Sequence, residues 1–306
     1  MASTRRLPEL PVLIAAPARA DWTYRVRRTR TDGTTGQRLQ QTTLPDGRPW
    51  LSIARTGQHY RLRFHRFATF DLDPIHGVID AYPTRIATPA TVRHLLLDQV
   101  LPLASGAPGR LALHASAVYG RLGVVGFLGP AGAGKSTLAV SLARAGWGFV
   151  ADDWLLVERT HAGPVGVPVY PGPRLRADSA HAVYGSRPPL AHPVAQYTRK
   201  ARLSIARAGF RVARRRAPIA ALYLLHPERA IRRGRVRIAS LSARDAMMAL
   251  LRYTFHLDIT DGRALASSFA VAGAIAATVP VRRLSFPHDL DHLEDLRGAI
   301  EVDVSR

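Results

Sequence analysis

Along the first hundred residues, apolar and polar positions alternate in short runs separated by turn residues, the pattern of strands with one face buried. Trp22, Tyr24 and Val26 form one such run, Leu51 and Ile53 another, His59 to Phe70 a third through Tyr60, Leu62 and Phe64, and Gly77 to Tyr82 a fourth. Thr29 to Thr43 is polar and reads as a loop or hairpin, and Pro45-Asp46-Gly47 as a turn. The period then changes: Val92, Leu95, Leu96 and Val100 recur at helical spacing over Thr91 to Leu101. Ala104 to Gly109 reads as a connection. These signals predict a small, mostly β (α+β) N-terminal domain over residues 1–105, opened by a loosely ordered leader over 1–20.

Beyond the connection, Arg110 to Tyr119 alternates through Leu111, Leu113, Ala115 and Ala117, and parity places His114 and Ser116 on the other face. Leu122 to Leu128 follows after a gap that admits a hairpin but no helical crossover. Leu138 to Ala145 reads as a helix and Trp147 to Ala151 as a strand delivering Asp152-Asp153. Trp154 to Val157 either continues that strand or opens a hairpin into Thr160 to Pro164. Gly166 to Tyr170 reads as a strand, Pro171-Gly172-Pro173 as a turn, Asp178 to Val183 as a short helix and Ser186 to Pro193 as a proline-broken loop. The C-terminal part predicts a strand at Ile219 to Leu225, a turn and exposed strand at Arg229 to Arg237, a helix from a Ser242 cap to Leu257, and a helix over Ala264 to Ala277. A strand at Val281 to Phe286 and a short helix at Leu290 to Leu296 close it. Residues 106–306 thus predict one α/β domain with a mixed sheet.

Composition narrows the function classes. Cysteine is absent, which excludes disulfides and thiolate metal sites and fits a cytoplasmic protein. Arg5-Arg6 and the apolar Leu10 to Ala16 imitate a signal peptide, but Glu9 and the prolines at 8, 11 and 17 interrupt it. Ala264 to Val281 is uncharged yet alanine-rich and interrupted by Ser, Thr and Pro, a buried helix and not a membrane span. The net charge is +21, and of 43 basic residues only Lys135 and Lys200 are lysines. The arginines are dispersed and no nucleic-acid-binding motif accompanies them, which argues against nucleic acid as partner. His288, Asp289, Asp291, His292 and Glu294 gather near the C terminus; a solvated helix surface explains them as well as a metal site does.

The chemistry concentrates in Gly129-Pro130-Ala131-Gly132-Ala133-Gly134-Lys135-Ser136-Thr137, which fits G-x-x-x-x-G-K-[ST] between a strand and a helix. Gly129, Gly132 and Gly134 permit a turn whose amides point at phosphate oxygens. In this motif Lys135 reaches the β/γ-phosphates, Ser136 ligates Mg²⁺ and Thr137 supports the first turn. The Asp152-Asp153 pair comes one helix later, where a parallel return brings carboxylates beside the loop. Lys200, in Thr198 to Arg202, is a candidate phosphate contact.

Together, Leu113 to Val118, Gly129 to Thr137 and Val150 to Asp153 resemble the catalytic domain of the HPr kinase/phosphorylase family and its related serine kinases, whose fold is similar to the nucleotide-binding part of phosphoenolpyruvate carboxykinase. The likeness is densest over 110–160. It implies a Mg²⁺/ATP-dependent serine kinase, with His114 near the transferred phosphoryl group, Lys135 and Ser136 on nucleotide and metal, Asp152 as general base, and Asp153 organising the metal; which of the two acids does which stays open. Arg174 and Lys200 are placed as nucleotide contacts by position beyond the acids. The resemblance does not extend to the reverse phosphorolysis segment. It is nearest to kinases of peptide precursors, lasso-peptide precursors among them, and implies a peptide or protein acceptor and a homo-oligomer. A kinase for a small hydroxyl-bearing metabolite and a catalytically silent nucleotide-binding regulator are the alternatives.

Overall fold

The computed structural model describes residues 2–3, 7–10, 21–29, 36–170, 172–228 and 236–305. The residues divide into two compact units. One holds residues 1–104 with Ala195–Thr198 and His256–Asp261; the other holds 105–194, 199–255 and 262–306.

The first unit is built on a seven-stranded sheet. Its order is Ala2–Ser3, Thr23–Val26, Val78–Pro83, Ala68–Asp73, His59–Phe64, Pro49–Thr56, Gln37–Thr43. Ile53, Leu62, Phe64, Phe70, Leu72 and Ile79 bury one face, as period-two alternation requires. The single strand expected over His59 to Phe70 is two, because the chain reverses at His65 to Phe67 and pairs Phe64 with Ala68. Gln37–Thr43, expected as loop or hairpin, is an edge strand in a hairpin with Pro49–Thr56: its side chains are exposed or half-buried while its backbone pairs. The leader lies mostly outside the described residues, but its described parts are tied down. Ala2–Ser3 pairs in parallel with Thr23–Tyr24, and Glu9 accepts from Arg93 at 2.8 Å. The helix expected at Thr91 to Leu101 is Pro89–Leu95, capped by Thr88, running through a π turn at Leu96–Val100 into Leu101–Ala104.

The second unit carries a ten-stranded mixed sheet with two arms that share the long strand Ala217–Glu228. One arm runs Arg211–Val212, Gly148–Ala151, Ala115–Gly120, Gly123–Leu128, Ala217–Glu228, Val281–Pro287, Arg237–Ser240. The other leaves the start of Ala217–Glu228 and runs antiparallel through Gly163–Val167 and Leu155–Thr160 to Arg110–Leu113. Gly123–Leu128 is apolar throughout because both its faces are covered. Val125 and Phe127 pack with the helices Lys135–Arg144 and Leu293–Val304. Val124 and Leu128 pack with Ala243–Arg252 and Gly262–Thr278.

The expected hairpin into Gly123–Leu128 is present, with Tyr119 opposite Val124. The strand expected over Arg110 to Tyr119 is instead two, Arg110–Leu113 and Ala115–Gly120, broken at His114, where the chain passes from one arm to the other. Asp152 to Trp154 makes the same crossing between Gly148–Ala151 and Leu155–Thr160. The strand expected over Gly166 to Tyr170 lies at Gly163–Val167, and Leu190–Pro193, within an expected loop, pairs with Ala201–Leu203. Pro171 of the expected turn lies outside the described residues, as do 229–235 of the expected basic turn. The helix after Ser242 stops at Arg252, since the Tyr253 carbonyl accepts from the His114 N–H and Thr254 bridges Leu113. The last helix runs Leu293–Val304, further than its acidic start indicates. No described helix is long and apolar enough to cross a membrane.

Candidate functional site

Strand direction gathers the chemistry at one sheet edge. Gly123–Leu128, Ala217–Glu228 and Val281–Pro287 are parallel, and Gly148–Ala151 points the same way with the antiparallel Ala115–Gly120 between it and Gly123–Leu128. The glycine-rich loop at residues 129–137, Pro227, His288, Asp152 and, at an N-terminal end, His114 therefore share that edge, where open α/β sheets bind ligands.

The loop has the geometry its glycines predict. Gly132 and Gly134 stand at φ +82° and +91°, a conformation costly to residues with a Cβ, and a Cβ at either would meet no heavy atom within 4 Å. The cradle is thus open on that side. Lys135 begins the Lys135–Arg144 helix with its side chain folded under the loop, donating to the Gly129 carbonyl at 2.7 Å and the Pro130 carbonyl at 3.1 Å. Burial lowers its pKa to about 8, opposed by the nearby Asp153 carboxylate. Ser136 and Thr137 are largely buried beside it.

The two acids differ. Asp152 is 1% exposed; its Oδ1 accepts from Ser116 Oγ at 2.7 Å and its Oδ2 from the Arg174 backbone N–H at 3.1 Å. Asp153 sits at φ +62°, a left-handed conformation that costs about 1 kcal/mol even where Asp tolerates it. His114 Nδ1 donates to its carbonyl at 2.9 Å, and Arg174 Nη2 donates to its Oδ2 at 2.5 Å. Lys200 Nζ is 3.7 Å from its Oδ1. Arg174 reaches the acids from the strand Arg174–Leu175 of a small sheet, and Lys200 from the position just before its neighbour Ala201–Leu203, in which Arg202 faces Arg174. With Nδ1 carrying the proton and burial lowering the pKa below the usual histidine value, His114 is a neutral imidazole at pH 7.

These groups open onto a cavity of about 940 Å³, lined by the loop, His114, Lys135, Ser136, Thr137, Asp153, Arg174 and Lys200. Asp152 is not in the lining; it lies behind, holding Ser116 and the Arg174 backbone. Both lysines of the chain meet in this cavity. Sequence reasoning missed Ser116 as a partner of Asp152, although parity with His114 placed it on the same face. It named His288 only within the C-terminal cluster weighed as a metal site, and did not foresee that its Nε2 donates to the Gly132 carbonyl at 3.2 Å. His288, Asp289, Asp291, His292 and Glu294 form no metal-binding group: the described residues hold no cluster of three or more His, Cys, Asp or Glu able to take a metal ion, and Asp289 instead accepts from His292 Nδ1 at 2.6 Å.

No family model matches the chain, and no curated protein matches it. Among solved structures it is distantly similar to the Hpr(Ser) kinase/phosphatase from Coxiella burnetii, at 13% identity and a TM-score of 0.32 over 64% of this chain and 99% of that one.

Proposed function

We propose that this protein transfers the terminal phosphoryl group of ATP to a serine hydroxyl of a peptide or protein. The observation that carries the reading is that one cavity receives both an open glycine cradle with a buried lysine and a carboxylate held ready beside it. Loop amides and Lys135 would take the charge of the β- and γ-phosphates. Ser136 Oγ, with the phosphates, would hold Mg²⁺, which would supply positive charge to offset the negative charge developing on the donor. A donor set without an all-protein cage suits an ion that keeps most of its water.

Asp153, and not Asp152, is the carboxylate we assign to the acceptor, because it borders the cavity while both oxygens of Asp152 are engaged inward. The serine oxygen would attack the γ-phosphorus in line as the bond to the β–γ bridging oxygen breaks. Its proton passes to Asp153, and ADP leaves. Arg174 and Lys200 hold that carboxylate in place, His114 fixes the backbone beneath it, and Asp152 positions Arg174.

The test is incubation with γ-labelled ATP, Mg²⁺ and a library of serine-containing peptides, with cell-extract metabolites in parallel. Labelled phosphoserine supports the reading. Label confined to small metabolites replaces its acceptor, and binding of ATP without transfer to anything refutes it.

A further inference from the structure

The cavity extends past the phosphate loop on the side away from the acids, and there its character changes. In the order Gly148–Ala151, Ala115–Gly120, Gly123–Leu128, Ala217–Glu228, Val281–Pro287, the acids lie two strands to one side of the loop and Phe286 two strands to the other. At the usual spacing each step is about 4.8 Å, so each group stands about 10 Å from the loop's strand. Leu128 pairs with Leu224, so Ala217–Glu228 and its partner Val281–Pro287 run on beyond the loop and raise a wall beside it. The lining of that wall is Pro227, Phe286, Leu290, Leu293 and Leu296, with Phe286 and Leu296 buried behind the half-buried Leu290 and Leu293. The polar groups at its rim are joined to one another: His288 to the Gly132 carbonyl, and Asp289 to His292 and the Asp291 N–H.

A linear triphosphate laid across the loop has its reacting end toward Asp153 and its other end toward this wall. We infer that the wall is a purine-base subsite that holds the base by apolar burial and not by hydrogen bonds to its edge. The inference rests on the proposed donor site and adds what that site leaves open, the class of donor and how strictly it is chosen. An apolar pocket discriminates weakly between isosteres that differ in polar substituents. ATP and GTP would therefore bind alike, and both more tightly than the loop alone would hold a triphosphate.

The experiment is calorimetric titration of the full chain, with Mg²⁺, by ATP, GTP and inorganic tripolyphosphate, repeated on Leu293→Ser. Serine is well tolerated at a helix start, and tripolyphosphate binding reports that the variant is folded. The inference expects ATP and GTP within about tenfold of each other, and both about a hundredfold tighter than tripolyphosphate. In Leu293→Ser it expects ATP to weaken about tenfold, with tripolyphosphate unchanged. ATP binding no tighter than tripolyphosphate, a strong preference between the purines, or a variant that leaves ATP unaffected would overturn the base subsite while the phosphate site stands. Failure of both ATP and tripolyphosphate to bind would overturn the donor site and this inference with it.

Discussion

Replacing Lys135 by methionine separates what the loop lysine does for binding from what it does to the fold. Lys135 is 6% exposed, and burial brings its pKa from 10.5 to about 8. Below pH 8 the folded chain thus holds a cation that the unfolded chain would solvate better. Between about pH 8 and 10.5 the unfolded state binds more protons than the folded one, so this group's contribution makes stability rise with pH there. A shift of that size is worth on the order of 3 kcal/mol at pH 7, about 2 to 3 kcal/mol of it relieved by pH 10. Methionine keeps the length of the stem and removes the charge. The stability difference, variant minus wild type, therefore falls by about 2 to 3 kcal/mol from pH 7 to pH 10, whatever fixed offset comes from losing the donors to the Gly129 and Pro130 carbonyls. Urea denaturation of both proteins across that range measures it, and the same samples should show ATP binding lost in the variant. A difference flat with pH would refute the claim that the loop keeps a destabilised cation in readiness for an anion.

Gly132→Ala should cost only about 1 to 2 kcal/mol of stability, the strain of a left-handed alanine in open space, while weakening ATP more than about tenfold because the methyl enters the cradle; thermal melts and titration separate the two effects. Asp153→Asn should lower kcat at least about a hundredfold with ATP affinity within a few-fold, and Asp152→Asn should lower it less; the reverse order in single-turnover assays would return the base role to Asp152. Lys200→Ala should raise KM or lower kcat with an unchanged melting curve, since its side chain is a third exposed and meets Asp153 at 3.7 Å. Ser242→Ala should destabilise the chain by about 1 kcal/mol, as Ser242 Oγ accepts the Asp245 N–H at 3.1 Å and caps Ala243–Arg252.

The strand, loop and helix from Gly123 to Arg144 were legible because three local signals agree there: a doubly buried apolar run, glycines at positive φ, and a helix start. The hairpin before it was legible from the short gap alone. The break at His114 was not, because the alternation of Leu111, Leu113, Ala115 and Ala117 continues across it; all four enter one core, so the pattern is blind to the chain's change of sheet arm. For the opposite reason Gln37–Thr43 read as loop or hairpin without a choice between them, an edge strand having little apolar side to show. The difference between Asp152 and Asp153 depends on a positive φ at Asp153 and on Ser116 and Arg174, which approach from distant parts of the sequence. The apolar wall beside the loop depends on how far two parallel strands overrun a third, a register that no local pattern records.

The central claim is that one ligand covers both the loop and the carboxylate beside it, and the lysine content of the chain makes this directly measurable. Lys135 under the loop and Lys200 beside Asp153 are its only lysines. Modification with an amine-reactive reagent, with and without ATP and Mg²⁺, followed by peptide mass mapping, reads both at once. The account predicts that nucleotide protects Lys135 and Lys200 together. Protection of neither, or of Lys135 with Lys200 fully reactive, would contradict it.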